Sequence, residues 1–445
     1  MAKLESHPTV QRFRASAQSV TSHTVDGEWL RAFLLDAGAD DVGFVSVDRP
    51  SLDAQRADIV GLLPGTRTLV SFVVRMNRQD VRSPARSIAN LEFHQTTHMV
   101  DDVARQLVHE LERRGVDALN PSAGFPMEMD RFPGKVWTVS HKPIAVAAGL
   151  GQMGVHRNLI HPRFGNFVLL GTVLVAAELS VGESQPIDYN PCLGCNLCVA
   201  ACPVGAIEPD GRFDFGACAT HNYREFLGGF GDWVGTVVES KNARAYGDQV
   251  SAAETASMWQ SLSFGANYKA AYCMAVCPAG DEVIAPFLLD RKRFTDEVLR
   301  PLQAKVETVY VQPGSDALAH VRRRFPAKTT KTVRSGLGAS TIAALLFAMP
   351  SVFQKGRSAG LAARFHFVFT GSETIDATVD IRDGRITVSR GLTDKADVVL
   401  FADADTWLGY LAGRRNLLWA LMRRKLRVKG RLRLLAAFGR CFPPA

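Results

Sequence analysis

The chain has 445 residues, of which 47% are apolar and 22% charged, and this length and composition suffice for two or three folded domains. Its longest apolar run, Ile342 to Phe353, is too short to cross a bilayer, and the polar first 24 residues do not resemble a secretory leader. The net charge of +8 is uneven, because much of the positive charge follows residue 413. The composition therefore predicts a soluble, cytoplasmic protein.

Up to residue 185, apolar residues alternate between helical and strand spacing. Residues 1–25 are polar and are predicted to form a disordered tail. Helical spacing covers Trp29 to Ala37 and His98 to Arg114, and strand patterns cover Asp41 to Val47, Thr68 to Val74, Trp137 to Ser140 and Phe167 to Val175. Residues 26–185 are therefore predicted to form an α/β core in which helices pack on an antiparallel or mixed sheet.

A glycine run, Gly149-Leu150-Gly151-Gln152-Met153-Gly154, has the spacing of a dinucleotide-binding loop. Such a loop needs a strand directly before its first glycine, and here the alanine-rich segment Pro143 to Ala148 predicts a helix. Nicotinamide binding is therefore disfavoured. The glycines are expected instead to let the backbone approach a flat cofactor, or to let two elements pack closely.

Four cysteines and a proline give the most specific pattern in the chain, C-x2-C-x2-C-x3-C-P. The residues are Cys192, Cys195, Cys198, Cys202 and Pro203. This is the bacterial ferredoxin spacing for iron–sulfur ligation. A zinc knuckle, the alternative, would prefer two separated C-x2-C pairs or histidine partners. Residues 186–300 are therefore predicted to form a 4Fe-4S ferredoxin module.

Half of the motif recurs at Cys273 and Cys277, and Cys218 offers one more thiol. A full second motif would have a cysteine at position 270, where this chain has Ala270. In two-cluster ferredoxins the last cysteine of each run ligates the other cluster. The predicted ligand sets are Cys192, Cys195, Cys198 and Cys277 for one cluster, and Cys202, Cys218 and Cys273 for the other.

The second predicted cluster is thus one protein ligand short. It is expected to be a 3Fe-4S centre, or a 4Fe-4S centre whose fourth iron binds water, His221 or another group. The remaining cysteine, Cys441, stands alone and is predicted to be a free thiol.

Residues 301–336, with Pro313, Gly314 and many basic side chains, are predicted to be a linker. Residues 337–445 form a further domain. Strand patterns at Phe365 to Phe369, Ala377 to Ile381 and Ile386 to Ser389 predict a hairpin around the turn at 382–385. A helix is predicted from Thr406, directly after two aspartates.

The run from Ala148 to Gly171, followed by the ferredoxin motif, resembles the epoxyqueuosine reductase and reductive dehalogenase superfamily over about residues 26–300. The resemblance implies a nitroreductase-like core with an inserted dicluster module, and a base-off cobalamin whose pocket is lined by Gly149, Gly151 and Gly154. It also implies reductive cleavage of a carbon–oxygen or carbon–halogen bond. With no secure flavin or nicotinamide motif, the expected electron donor is reduced ferredoxin or flavodoxin.

The chain departs from the epoxyqueuosine reductase pattern at two places. Val155 stands where those enzymes commonly have a lysine, and the segment 138–142 lacks their aspartate. The proton donor is therefore unassigned, and the candidates are His141, His156 and Tyr272, because an imidazole or a phenol can deliver a proton. The alternative for each is a side chain hydrogen-bonded in a turn.

Residues 338–443 resemble the sterol-carrier-protein lipid-binding domain, which implies a small sheet packed with helices around an apolar tunnel. The whole chain is therefore predicted to be α+β or α/β, with a C-terminal α+β domain. The basic residues Arg423, Arg424, Lys425 and Arg427 fit either an anionic membrane surface or a solvated face. No nucleic-acid partner is expected.

These patterns favour an iron–sulfur reductase, dependent on cobalamin, that acts on a hydrophobic or lipid-like substrate. Three alternatives stay open. The first is a tRNA-modifying enzyme of the epoxyqueuosine reductase type. The second is an electron-transfer protein with no active site of its own. The third is a lipid-binding protein whose clusters are structural or sense redox state.

Overall fold

An antiparallel sheet organises the first of three parts in the computed structural model, which describes residues 4–16, 24–124, 137–180 and 183–443. The helices of this part are α1 Pro8–Ser16, α2 Gly27–Asp36, α3 Asp53–Leu62, α4 Arg78–Arg82, α5 Arg86–Arg113 and α6 His141–Ala147. The strands are β1 Thr24–Val25, β2 Asp41–Ser46, β3 Thr68–Arg75, β4 Ala118–Leu119, β5 Gln152–Met153, β6 Leu159–Ile160, β7 Val168–Val175 and β8 Glu178–Leu179.

The main sheet has the order β2-β3-β7-β4, and all of its pairs are antiparallel. Seven of the eight residues of β3 are buried, as expected for a central strand covered on both faces. Helices α2 and α5 pack on one face through residues such as Leu34 and Leu107. Helix α6 packs on the other face through Ile144. The predicted helix-covered sheet is therefore present.

Several predicted boundaries were wrong in this part. Helix α5 begins at Arg86 and not at His98. The prediction missed its first three turns because they bury polar side chains such as Asn90 and Glu92 and so lack an apolar stripe. Residues Trp137 to Ser140 form bends and not a strand.

The tail predicted to be disordered contains a helix, α1, and Thr24–Val25 pair with Glu178–Leu179. Backbone hydrogen bonds give this short strand an order that its polar composition does not reveal. Residues 1–3 and 17–23 of the predicted tail lie outside the described part of the chain.

The central part is mostly helical. Its helices are α7 Leu197–Ala201, α8 Phe215–Asn222, α9 Gly228–Glu239, α10 Ala243–Gly247, α11 Ala252–Phe264, α12 Tyr272–Ala275, α13 Ala285–Leu289, α14 Arg291–Phe294, α15 Arg300–Ala304 and α16 Asp316–Arg324. Its strands are β9 Thr308–Val311 and β10 Thr329–Thr332, which pair in parallel.

The segment 301–336 is folded and is not a linker. Val309, Val321 and Phe325 lie in the same buried cluster as Cys198 and Cys202. Arg322, Arg323 and Arg324 face solvent at the end of α16, while Ala317 and Val321 of the same helix are buried. The positive charge that suggested a linker is therefore, in α16, the polar face of an amphipathic helix.

The C-terminal part contains α17 Ile342–Val352, β11 Ala363–Thr370, β12 Ile375–Arg382, β13 Arg385–Arg390, β14 Val398–Asp403, α18 Ala404–Leu411, α19 Leu417–Met422, β15 Leu426–Gly430 and α20 Leu432–Arg440. Its sheet order is β13-β12-β11-β14-β15, in which only β11 and β14 are parallel. The predicted hairpin is confirmed, since Ile381 pairs with Ile386. Helix α18 begins at Ala404, two residues before the predicted start at Thr406, with Asp403 as its N-cap.

No helix in the described ranges is both long and apolar enough to span a membrane.

Replacing Gly171 by alanine should destabilise the main sheet. Gly171 pairs with Phe72, and an added Cβ would lie 2.1 Å from that ring. Overpacking of this kind costs about 1–3 kcal/mol. We expect a clearly lower melting temperature. The control is Gly61→Ala in α3, where nothing lies within 4 Å of an added Cβ, and this variant should melt at the same temperature or slightly higher. Equal melting temperatures for the two variants would contradict this packing.

Candidate functional site

The cysteine motif forms a tight loop that turns its thiols in one direction. Gly194 and Asn196 both adopt positive φ angles, 67° and 53°, which curl the backbone before α7 begins. The amide N–H of Val155 donates to the Cys192 sulfur at 3.3 Å, and the Ala206 N–H donates to the Cys202 sulfur at 3.3 Å. Backbone donors aimed at sulfur stabilise thiolate ligands, so the loop is built to hold negative charge.

The thiols sort into two neighbourhoods. Cys277 lies near Cys192 in one buried cluster, and the charges of Cys192 and Cys195 act on its thiol. The charges of Cys202 and Cys273 act on the Cys218 thiol, and the charge of Cys202 acts on the Cys273 thiol. Cys198 lies near thiols of both neighbourhoods, since the charges of Cys273, Cys277 and Cys195 all act on it. The assignment of each cysteine to one of two clusters therefore stays a prediction.

The environment of the thiols fits an iron–sulfur cage. Burial, followed by repulsion from neighbouring thiolates, raises the pKa of Cys273 and Cys277 to about 12. It also raises the pKa of Cys198, Cys202 and Cys218. Several buried thiolates need a nearby cation to ionise, and iron provides it. All seven are free cysteines, without a disulfide.

A single metal ion fits less well. Within the described residues, no three histidine, cysteine, aspartate or glutamate side chains converge closely enough to bind one ion. A multi-iron cluster separates its ligand sulfurs more widely than one ion does. The zinc alternative is therefore not supported by the geometry.

No fourth cysteine completes the second ligand set. His221 lies one turn after Cys218 on α8 and is buried, its Nδ1 accepts a 3.4 Å hydrogen bond from the Tyr310 N–H, and its Nε2 has no partner among the described residues. Burial lowers the pKa of His221 to about 4, so its imidazole is neutral at pH 7. His221 stays a candidate ligand, on chemistry and not on a measured contact with the thiols.

Three side chains that solvent reaches lie near the second thiol set. They are Lys142, Tyr223 and Tyr268, and burial lowers the pKa of Lys142 and raises that of Tyr268 to about 12. The charges of Cys218 and Cys273 act on Lys142, and the two tyrosine rings lie 5.9 Å apart.

Lys142 was missed as a candidate from the sequence, although it stands in the segment noted for lacking an acid. It is held in place because its ammonium donates to the Arg157 carbonyl at 2.7 Å and to the Asn158 side chain at 3.1 Å. A lysine at the start of a short helix that abuts a glycine run was the available signal. Tyr223 and Tyr268 had no signal, since only folding brings them to the cysteines.

The predicted proton donors are all bonded inside the protein. His141 is buried, with Nδ1 2.9 Å from the Thr172 hydroxyl and Nε2 3.0 Å from the Ser122 carbonyl. His156 accepts from the Asn158 N–H at 3.1 Å, and burial lowers its pKa to about 4. These contacts match the alternative of a histidine bonded within a turn or core.

Tyr272 is also bonded. Its hydroxyl donates to the Glu307 carboxylate at 2.7 and 2.9 Å, and the Arg86 guanidinium lies over its ring. Lys305 and Lys328 complete the pairing of Glu307. The hydroxyl is thus committed to an ion-pair network behind Cys273.

The three glycines pack against protein. An added Cβ would lie 2.4 Å from the Gln185 carbonyl oxygen at Gly149, 2.3 Å from the Ile160 carbonyl oxygen at Gly151, and 2.8 Å from the Ile160 side chain at Gly154. The side of each residue that lacks a Cβ therefore faces the chain itself. Close packing of two elements explains why these three positions lack a side chain, and the corrinoid lining stays a prediction.

The histidines of α5 do not form a metal site. Among the described residues, the buried Nε2 of His94 has no hydrogen-bond partner, and Gly265 packs against the same ring. His98 is exposed one turn later. No third ligand joins them in the described part of the chain.

The C-terminal domain docks on helix α8, which carries Cys218. The buried Gln354 donates to the Asp214 carboxylate at 3.0 Å and accepts from the Asp316 N–H at 2.8 Å. Asp214 caps α8 through the Ala217 N–H, and Asp316 begins α16. One side chain of the C-terminal domain therefore joins the first turns of two helices of the cysteine module.

Two segments match known family models. Residues 186–208 match the 4Fe-4S binding domain, and residues 346–443 match the SCP-2 sterol transfer family. The first contains the four-cysteine motif, and the second covers the five-stranded C-terminal sheet.

Curated relatives cover parts of the chain. The epoxyqueuosine reductase of Gloeobacter violaceus is 27% identical over 222 residues, which is 48% of this chain and 66% of that protein. The epoxyqueuosine reductase of Synechococcus sp. is 32% identical over 160 residues, 35% of this chain and 46% of that protein. The chain thus spans about half to two thirds of the length of these relatives. The resemblance to epoxyqueuosine reductases is confirmed.

A solved reductive dehalogenase aligns with 86% of this chain and 44% of that chain, at 13% identity and a TM-score of 0.39. Values this low do not establish a shared fold. The protein is thus an α+β chain that combines similarity to epoxyqueuosine reductases, a 4Fe-4S binding domain and a C-terminal SCP-2 sterol transfer domain.

Substituting Cys218 by alanine should remove the second iron–sulfur centre and leave the first, because only the second set contains this thiol. Cys277→Ala should do the reverse. Electron spin resonance and iron content of the anaerobically reconstituted protein measure both effects. Cys441→Ala, outside both sets, is the control and should keep both centres. Loss of both signals, or of neither, in Cys218→Ala would contradict the assignment.

Replacing Lys142 by glutamine should lower the midpoint potential of the second centre. A nearby cation stabilises the more negative, reduced state, and its removal should shift the potential downwards by on the order of tens of millivolts. Redox titration followed by spin resonance measures the shift. The control is Lys241→Gln at an exposed site, which should leave both potentials unchanged. An unchanged second potential in Lys142→Gln would place its charge away from that centre.

Proposed function

We propose that this protein is an iron–sulfur reductase that delivers electrons through two clusters to a hydrophobic or lipid-like substrate. One observation supports this most directly: seven free thiols from three stretches of the chain come together beside Lys142, a side chain that solvent reaches. The expected ligand sets leave the second cluster one protein ligand short, and an iron with an open position suits chemistry. A pure electron carrier does not need an open iron.

The order of the two centres follows from exposure. Cys192 and Cys195 are half-buried, and Leu193 between them is 47% exposed, so the first centre meets solvent. The electron donor, reduced ferredoxin or flavodoxin, is proposed to act there. Cys273 is adjacent to both sets, since its charge acts on Cys198 and Cys277. Electrons would then pass from the first centre to the second and from there to the substrate.

The proposed reaction is reductive cleavage of a carbon–heteroatom bond, which consumes two electrons and one proton and yields a carbon–hydrogen bond and the leaving anion. Lys142 is exposed beside the second thiol set, and its ammonium has a third N–H besides the two that it donates to the Arg157 carbonyl and the Asn158 side chain. This N–H is proposed to donate a hydrogen bond or a proton to a substrate. The predicted donors His141, His156 and Tyr272 are bonded within the protein.

Cobalamin is part of the function expected from the resemblance, and its binding stays a proposal. The side of each glycine that lacks a Cβ packs against the chain itself, so these contacts give no support to a corrinoid pocket at the turn. We therefore derive no step through cobalamin. The free cysteines suit a reducing compartment, and the cytoplasm is the proposed location.

The substrate class follows from the C-terminal domain, which matches a sterol transfer family and docks on the helix of Cys218. A lipid-binding domain fixed next to the second centre can present an apolar compound to the same module. The second candidate is an epoxyqueuosine-type reduction on tRNA, favoured by the relatives. One departure weighs against this second candidate. Epoxyqueuosine reductases commonly have a lysine after the third glycine, and this chain has Val155, whose backbone N–H donates to the Cys192 sulfur.

Conversion of a bound lipid tests the proposal. The full-length protein, reconstituted with iron and sulfide with or without cobalamin, would be reduced by dithionite and incubated with a lipid extract. We expect mass spectrometry to show a bound lipid converted to a product in which hydrogen replaces the leaving group. Cys218→Ala should bind the same lipid without converting it, because the second centre is lost.

Three results would overturn the proposal. Equal conversion by Cys218→Ala would exclude the second centre from the reaction. Turnover of epoxyqueuosine-containing tRNA without lipid conversion would favour the tRNA alternative. Reduction of both centres with no conversion of either substrate would favour an electron carrier.

A further inference from the structure

The end of the chain is strongly basic. Residues 406–445 contain ten arginines and lysines and no aspartate or glutamate. Since the whole chain has a net charge of +8, the first 405 residues are slightly acidic overall. The positive charge of this protein therefore belongs to one short segment of the C-terminal domain, and a local surface carries it.

That surface follows the edge strand of the C-terminal sheet. Strand β15 pairs only with β14 in this sheet, and its other side is open. Arg427 and Lys429 lie two residues apart and both stand over the Phe401 ring, at 5.3 and 5.4 Å, so they share one face of the strand. We define the basic edge as Arg423, Arg424, Arg427, Lys429, Arg431 and Arg433, all of which are exposed.

Acidic side chains do not neutralise the basic edge. Among the ion pairs of the described residues, the segment after residue 405 contributes one, between Lys425 and Asp403 at 3.2 Å. No carboxylate pairs with any of the six residues of the edge in the described part of the chain. An uncompensated strip of this kind attracts an anionic partner.

Large apolar side chains stand at both ends of the strip. Trp419 is 41% exposed and Met422 is 77% exposed before β15, and Leu432 is 68% exposed after it. The Arg423 guanidinium lies over the Trp419 ring. Exposed methionine and leucine contribute nothing to binding of a phosphate backbone, but they enter the headgroup layer of a bilayer, where tryptophan is also favoured.

We propose that the basic edge docks on an anionic phospholipid bilayer, with Trp419, Met422 and Leu432 entering its interface. The inference rests on the proposed lipid-binding function, because docking would let the C-terminal domain take an apolar compound from the membrane. Each basic side chain near such a surface contributes about fivefold in binding.

Co-sedimentation of the full-length protein with vesicles tests the proposal. The vesicles would be phosphatidylcholine alone, or phosphatidylcholine with 30% phosphatidylglycerol as an assay choice. We expect binding to the anionic vesicles only, and release at high salt. Arg423→Gln with Arg433→Gln should weaken binding by about 25-fold. Met422→Ser with Leu432→Ser should also weaken it, although no charge changes.

The matched control is Arg385→Gln with Arg390→Gln. Both residues are exposed on β13, at the opposite edge of the same sheet, and the loss of charge is the same. This variant should bind anionic vesicles as the unchanged protein does. Equal weakening by the control, or equal binding to neutral vesicles, would overturn the proposal.

A single-stranded RNA in place of vesicles tests the competing partner. If RNA binds more tightly than anionic vesicles, and the Met422 and Leu432 variant binds RNA normally, the surface is a nucleic-acid site and the proposal is wrong. Failure is distinguishable from failure of the proposed function. Lipid conversion without vesicle binding would overturn only the membrane-docking inference. Vesicle binding without lipid conversion would overturn only the proposed reductase function.

Discussion

The close approach of seven thiols from three distant stretches is the constraint on which the structure depends. Cys192 to Cys202 lie on one loop and helix α7, Cys218 lies on α8, and Cys273 lies in α12 with Cys277 two residues after its end. Burial and mutual repulsion hold their pKa values high. Such a cluster of thiolates is costly without cations, so the arrangement makes chemical sense only around iron.

Elements outside the cysteine motif complete this centre. The turn after α6 supplies the Val155 N–H to one thiol, and Lys142 at the start of α6 brings a positive charge to the second set. On the far side, His320 of α16 packs against Gly205, directly behind Cys202. The sheet domain, the segment once expected to be a linker and the cysteine loops therefore form one structural unit around the proposed clusters.

The C-terminal domain is tied to the same unit through Gln354 and through the pair of Lys355 with Glu208. Its apolar core is separate, built from strand residues such as Phe365 and Val379 with Phe438 of α20. A domain with its own core can be held in place by such polar pairs, together with contacts such as that of Val352 of α17 with Gly216 of α8. This arrangement lets a lipid-type domain sit beside a redox centre while its basic edge at β15 stays open.

Local sequence determined the parts of this protein that depend on short-range physics. The cysteine spacing, the β-branched run of β3 and the hairpin at 382–385 are each specified by neighbours along the chain. The tertiary structure alone decided the rest. It brought Tyr223 and Tyr268 to the thiols, bonded Tyr272 to Glu307, and filled the space beside Gly149 with backbone. These outcomes depend on contacts between residues far apart in sequence, and no local pattern records which polar group will find a partner when the chain is buried.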